Sequence, residues 1–135
     1  MKAVTVVIEK GPDHYAAYVA KGLKNHALSG TGTTVKEARD DLQEALDEVR
    51  EMYIEDGEDI PKELKDISFE YKYDVGSLFD FFGEINITSF ARKIEMNESL
   101  LRKYKNGLAV ASEKQCKRIE AGLHELGRSL VAAQL

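Results

Sequence analysis

Eight Lys/Arg side chains stand against three Asp/Glu between residues 87 and 118, a local excess of the kind that phosphate binding requires. The excess is hidden in the sum, because the 135 residues together hold 19 Lys/Arg and 24 Asp/Glu, a net charge of −5. Residues 1–74 carry 10 basic and 17 acidic side chains, net −7, and residues 75–135 carry 9 and 7, net +2. An acidic total thus conceals a basic module. Chemistry at a reacting bond has no comparable constellation. His14, His26 and His124 stand apart, with no Ser, Cys or Asp pattern around them, and Cys116 is the single cysteine. That excludes an internal disulfide and leaves no metal-ligand spacing. The expectation is a non-enzyme with no catalytic residue, metal or cofactor.

Such a patch needs elements to hold it. Hydrophobic residues make up 43% of the chain and charged residues 32%, the balance of a folded soluble protein. The longest early apolar run, Ala3 to Ile8, is far short of the roughly 20 residues that span a bilayer, so no membrane contact is expected and the protein is assigned to the cytoplasm. Val4, Val6 and Ile8 alternate with Ala3, Thr5 and Val7 as a first strand, Gly11-Pro12-Asp13 supplies a turn, and Tyr15 to Ala20 is a second strand. Gly22 to Asn25 turns again, and His26 to Thr33 is read as a third strand. Thr34-Val35-Lys36-Glu37 fits a capping box, in which the Thr hydroxyl takes one free helix N–H and the Glu carboxylate reaches back to another. Val35, Ala38, Leu42, Ala45, Leu46, Val49 and Tyr53 then recur at spacings of three and four, a stripe for packing on a sheet. After a polar loop, Glu55 to Pro61, a last strand alternates Ile67, Phe69, Tyr71 and Tyr73 with polar residues. The β-β-β-α-β order predicts a small α+β domain over residues 1–74. From Val75 the period is helical, so residues 75–135 are read as an all-α domain. Leu78, Phe79 and Phe82 face one way on a first helix ended by Gly83. Ile87 to Ile94 is a second helix and Asn97 to Lys105 a third, and Ser112-Glu113-Lys114-Gln115 opens a long last one.

Within that second domain, Ile87 to Gly107 resembles the helix-turn-helix of the lambda-repressor-like regulators. Ala91 stands where two short helices touch, and Phe90, Ile94, Met96, Leu101 and Tyr104 occupy the positions that lock the pair together. Asn106-Gly107 after the third helix also matches. Glu95 departs from the pattern, since that turn usually has Gly to reach positive φ. The resemblance implies that the third helix lies in the major groove of double-stranded operator DNA. It then assigns Asn97, Glu98, Ser99 and Arg102 to base edges, Arg pairing with guanine, Asn with adenine and Glu accepting from cytosine. Thr88, Lys103, Lys105 and Asn106 go to phosphates, which give affinity and register without sequence information, with Arg92 and Lys93 behind them. On the last helix Cys116, Ile119, Leu123, Leu126 and Leu130 form a narrow seam. It has two readings: packing on its own helical core, or a homodimer or higher-oligomer contact through Leu123, Leu126 and Leu130, which a repressor needs to space two recognition helices. Gly122 and Gly127 each cost that helix about 1 kcal/mol, which contacts must offset.

The first domain, with its leading hairpin and a helix opened by Thr-x-x-Glu, resembles the HicB antitoxin family, a partial ribonuclease-H-like fold. Tyr15 to Val19, the Gly/Thr-rich strand and the Thr34 to Leu46 helix carry the likeness, and Asn25-His26-Ala27-Leu28-Ser29 stands where the family has a Leu-Pro-Gly-Cys-like stretch. The resemblance implies that this domain blocks a small HicA-type mRNA-cleaving toxin while the other represses the shared operon. Tyr15, Tyr18 and Leu28 are the toxin contacts expected on the early strands, and core packing explains the same residues equally well. An acidic domain suits a basic ribonuclease as partner and suits plain solubility too. Active ribonuclease-H-type catalysis needs clustered carboxylates on two divalent ions, one projecting from the middle of the first strand. Val4, Thr5 and Val6 stand there instead. The alternative function is a stand-alone helix-turn-helix regulator whose N-terminal domain senses a ligand or binds another protein.

Overall fold

Strand β1 (Lys2–Lys10) sends Val4, Val6 and Ile8 to one face, where each is fully buried, because side chains alternate along a strand. It pairs antiparallel with β2 (Tyr15–Lys21), which pairs antiparallel with the short β3 (Ser29–Gly32). Its other edge carries β4 (Ile67–Tyr73) in parallel register, Val6 opposite Tyr71, giving the order β3-β2-β1-β4. A parallel neighbour demands a crossover, and helix α1 (Val35–Glu55) lies on that connection. The structure, a computed structural model, describes residues 1–135. Its four strands and six helices make an α+β fold that divides into two units, Met1–Phe81 and Phe82–Leu135.

In the first unit, Val35, Ala38, Leu42 and Leu46 of α1 join Val6, Ile8, Ala17, Leu28 and Leu64 in one core, with Ala45, Val49 and Tyr53 partly buried against it. Gly30 lets helix and strand approach closely, since a Cβ there would sit 2.4 Å from the Leu42 nitrogen and 2.6 Å from the Ala38 oxygen. Thr34 caps α1 by accepting from the Glu37 N–H at 3.0 Å, but the Glu37 carboxylate takes the N–H of Thr33, one residue further back than a capping box requires.

Three segments differ from the sequence reading. A one-turn helix, α2 (Lys62–Lys65), precedes β4, so the order is β-β-β-α-α-β; it buries Leu64, whose carbonyl accepts from Arg50 Nε at 2.8 Å. One apolar residue among charged neighbours leaves no periodicity to read. The third strand begins at Ser29 rather than His26, because Glu63 draws the preceding loop aside. Its carboxylate accepts the backbone N–H groups of Lys24 and Asn25, and lies 2.7 Å from His26 Nδ1, whose Nε2 is 3.0 Å from the Tyr53 hydroxyl. These partners, His26 foremost, hold the Glu63 carboxyl down to about 2. Finally, helix α3 (Val75–Phe81) belongs to the first unit, so the division falls after Phe81 and not at residues 74–76. Asp74 explains this: it accepts from the Lys10 N–H and the Ser77 N–H, both at 2.8 Å, tying the helix start to the end of β1. Phe79 is buried, while Phe82, expected on the same face, lies beyond the helix and is 40% exposed.

The second unit is helical: α4 (Ile87–Lys93), α5 (Glu98–Lys105) and α6 (Glu113–Ala132). Each has an oxygen-bearing N-cap, Asn86, Asn97 and Ser112, that accepts the N–H three residues on. Phe90, Ala91, Met96, Leu101, Tyr104 and Ile119 are its buried apolar side chains together with Ile87, and Ile94 is half-buried. Gly122 marks where α6 meets α4, since a Cβ there would come within 2.3 Å of Ile94 Cγ2 and 3.2 Å of Phe90 Cζ. That close approach is the contact that offsets its poor helix propensity.

Candidate nucleic-acid interface

Two short helices joined by a tight turn make the site. The turn between α4 and α5 passes through Glu95 at φ 55°, the single non-glycine residue with positive φ, a conformation that costs an L-residue about 1 kcal/mol or more. It persists because its neighbours fix it. The Met96 N–H donates to the Ala91 carbonyl at 2.9 Å, Met96 itself is buried, and Asn97 starts the next helix at once. Arg118, reaching over from α6, donates through Nη2 to the carbonyls of Ile94 at 2.8 Å and Glu95 at 2.9 Å. Sequence reasoning counted Arg118 only as charge; a contact 23 and 24 residues away along the chain leaves no local signal. Asn86 was also missed as a cap, although an Asn directly before an apolar-periodic stretch is such a signal.

Asn97, Glu98, Ser99 and Arg102 are all exposed, three of them on α5 and Asn97 at its cap, with Lys103 and Asn106 exposed nearby and Lys105 half-buried. Their side chains are less free than their types suggest. Asn97 Oδ1 accepts the Leu100 N–H at 3.0 Å, so capping orients this side chain and leaves one lone pair of its oxygen for adenine. Thr88, expected at a phosphate, donates its hydroxyl to Glu98 Oε1 at 2.6 Å and accepts from Arg102 Nη2 at 2.8 Å. Arg102 also donates to Glu98 Oε1 through Nε at 3.1 Å and Nη2 at 3.0 Å. The Thr88 hydroxyl, then Arg102, hold the Glu98 carboxyl below its ordinary range, with Arg92 contributing through its charge. Three residues assigned separately to phosphate, cytosine and guanine are thus one network across α4 and α5. Ser99 and Lys103 project to solvent beside it, and Arg92 and Lys93 lie exposed in the last turn of α4.

Other expected contacts sort by burial. Leu28 is 4% exposed and part of the first unit's core, so it offers no surface to a partner; its carbonyl instead accepts from the Val19 N–H. Tyr15 is half-buried with its hydroxyl on Asp80, beside Lys10 Nζ at 2.7 Å, and burial with that carboxylate pushes the phenol up to about 12. Tyr18 alone of the three is exposed, donating to Glu9 Oε1 at 2.9 Å. On α6, Ile119 is buried, Leu123 and Leu126 are half-buried, and Cys116 and Leu130, the latter 66% exposed, are open to solvent, so the seam is covered by its own unit in its middle and bare at its ends. No helix is long and apolar enough to cross a membrane. Comparisons with protein-family models, with curated proteins and with solved structures find no match to this chain.

Proposed function

We propose that this chain is a DNA-binding regulator, an antitoxin of the HicB type that neutralises a HicA-type mRNA-cleaving toxin and represses its own operon in the cytoplasm. The observation that carries the DNA-binding half is the turn at Glu95, whose positive φ bends two capped helices apart where a helix-turn-helix requires it. Charge agrees with it. The all-helical unit holds 9 Lys/Arg and 6 Asp/Glu, net +3, against 10 and 18, net −8, in the first unit. In this reading α5 enters the major groove, Lys103, Asn106, Arg92 and Lys93 meet phosphates, and the bare end of α6 around Leu130 meets a second copy. The antitoxin half rests on the sequence resemblance of residues 1–74 to the HicB domain, with Tyr18 as the exposed contact and the acidic surface suited to a basic toxin.

Gel shifts of the full chain on the duplex upstream of its own gene, at rising salt and against unrelated competitor DNA, test the first half. Selective binding that weakens with salt supports it; no binding, or equal binding to every duplex, ends it. The second half is tested by a search beside the gene for a short, basic reading frame and by co-expression with it: co-purification of a complex supports the antitoxin reading, and the absence of such a neighbour or of a complex favours a stand-alone regulator.

A further inference from the structure

We infer that Thr88, Glu98 and Arg102 form a preassembled reading unit that demands adenine or cytosine, and excludes guanine and thymine, at the base facing Glu98. The inference rests on the DNA-binding reading and adds to it the chemistry that α5 selects. Counting donors and acceptors gives the reason. Arg102 Nε–H and one Nη2 proton go to Glu98 Oε1, and the other Nη2 proton goes to Thr88. A two-point grip on guanine needs Nη2 paired with Nε or with Nη1, so both such edges are occupied. What the network leaves unengaged, on side chains about half exposed, is Glu98 Oε2, which only accepts, and the Nη1 donors of Arg102.

An ionised carboxylate oxygen pairs with an exocyclic amino group, N4 of cytosine or N6 of adenine. Opposite the O6 of guanine or the O4 of thymine it would meet another acceptor and stay unpaired, which costs more than a missing contact. Arg102 Nη1 then has the neighbouring acceptor available: N7 on adenine, or O6 of the guanine paired to cytosine. Thr88 is the positioning residue. Its hydroxyl is the one group that both donates to the carboxylate and accepts from the guanidinium, and it reaches them from the other helix.

The experiment is selection from random duplexes by the full chain, with Thr88→Val and Glu98→Gln alongside, each scored for preference at every position and for salt dependence. The wild type is expected to disfavour guanine and thymine at one position per half-site by on the order of 10-fold to 100-fold. Glu98→Gln, able to donate as well as accept, should bring the four bases there within about fivefold of one another. Thr88→Val should blunt the same preference while leaving the salt slope unchanged. Guanine selected at that position, or a Thr88→Val protein that loses affinity for all sequences with a shallower slope, would overturn the inference while leaving DNA binding intact. Failure of the wild type to enrich any duplex would remove the DNA-binding reading and the inference with it.

Discussion

Replacing Gly30 with alanine sets two effects of opposite sign against each other. Alanine restricts the unfolded chain, which by itself stabilises by about 0.4–1 kcal/mol where the backbone angles are tolerated, and Gly30 is not among the positive-φ glycines. Against that, the new Cβ would stand 2.4 Å from the Leu42 nitrogen, 2.6 Å from the Ala38 oxygen and 2.9 Å from the Asp41 carbonyl carbon. All three are backbone atoms in the first turns of α1, so no side chain can swing away. Reaching ordinary contact means moving helix from strand by about 1 Å, and a gap of that size forfeits up to about half the dispersion energy at each facing contact. Those contacts are made by Ala38, Leu42 and Leu46, each nearly or fully buried. Overpacking with strain in the backbone belongs at the upper end of about 1–3 kcal/mol, leaving a net loss of about 2 kcal/mol. Tyrosine fluorescence in a urea titration reads this directly, because five of the six tyrosines, all but Tyr104, lie in the first unit and the chain has no tryptophan. A variant within about 0.5 kcal/mol of wild type, inside the range of ordinary surface substitutions, would refute the claim that helix and sheet are locked at Gly30.

Gly127→Ala is expected to act in the opposite direction, since a Cβ there meets nothing within 4 Å; the second unit should gain about 1 kcal/mol from helix propensity, read as a higher Tm. Arg118→Met keeps the apolar stem but removes the donor to the Ile94 and Glu95 carbonyls, and should cost the second unit about 1–2 kcal/mol in denaturant titration; an unchanged midpoint would show that the turn holds itself. Glu63 titrates at about 2 instead of its usual 4.5, chiefly through His26 and then the Lys24 and Asn25 N–H groups. A carboxyl depressed on folding stabilises above its unfolded pKa, so its contribution is full above about pH 5 and is lost as the pH falls from there towards 2. Measured against the intrinsic exchange rate at each pH, protection of the Lys24 and Asn25 amides should fall across that window; protection unchanged from pH 5 to 2 would refute the role given to the Glu63 carboxylate.

Much of the frame was legible because it depends on neighbours in the chain. The alternation of Val4, Val6 and Ile8, the stripe from Val35 to Tyr53 and the capping positions Thr34 and Ser112 are local rules, and each element formed where the pattern placed it. Elements without a local pattern were missed. Leu64 alone could not announce α2, and α3 looked like the start of the helical half because nothing in its own residues says that Asp74 ties it to Lys10.

At the candidate site the division is sharper. Residue types determined that α5 would expose Glu98, Ser99, Arg102 and Lys103, and that a non-glycine residue would have to adopt the turn at Glu95. Only tertiary structure decided that Thr88, Glu98 and Arg102 share one hydrogen-bond network and that Arg118 secures the turn from α6. The reason is that a side chain's type fixes how many protons it can give or take, whereas which partner receives them depends on groups brought within about 3 Å by the fold.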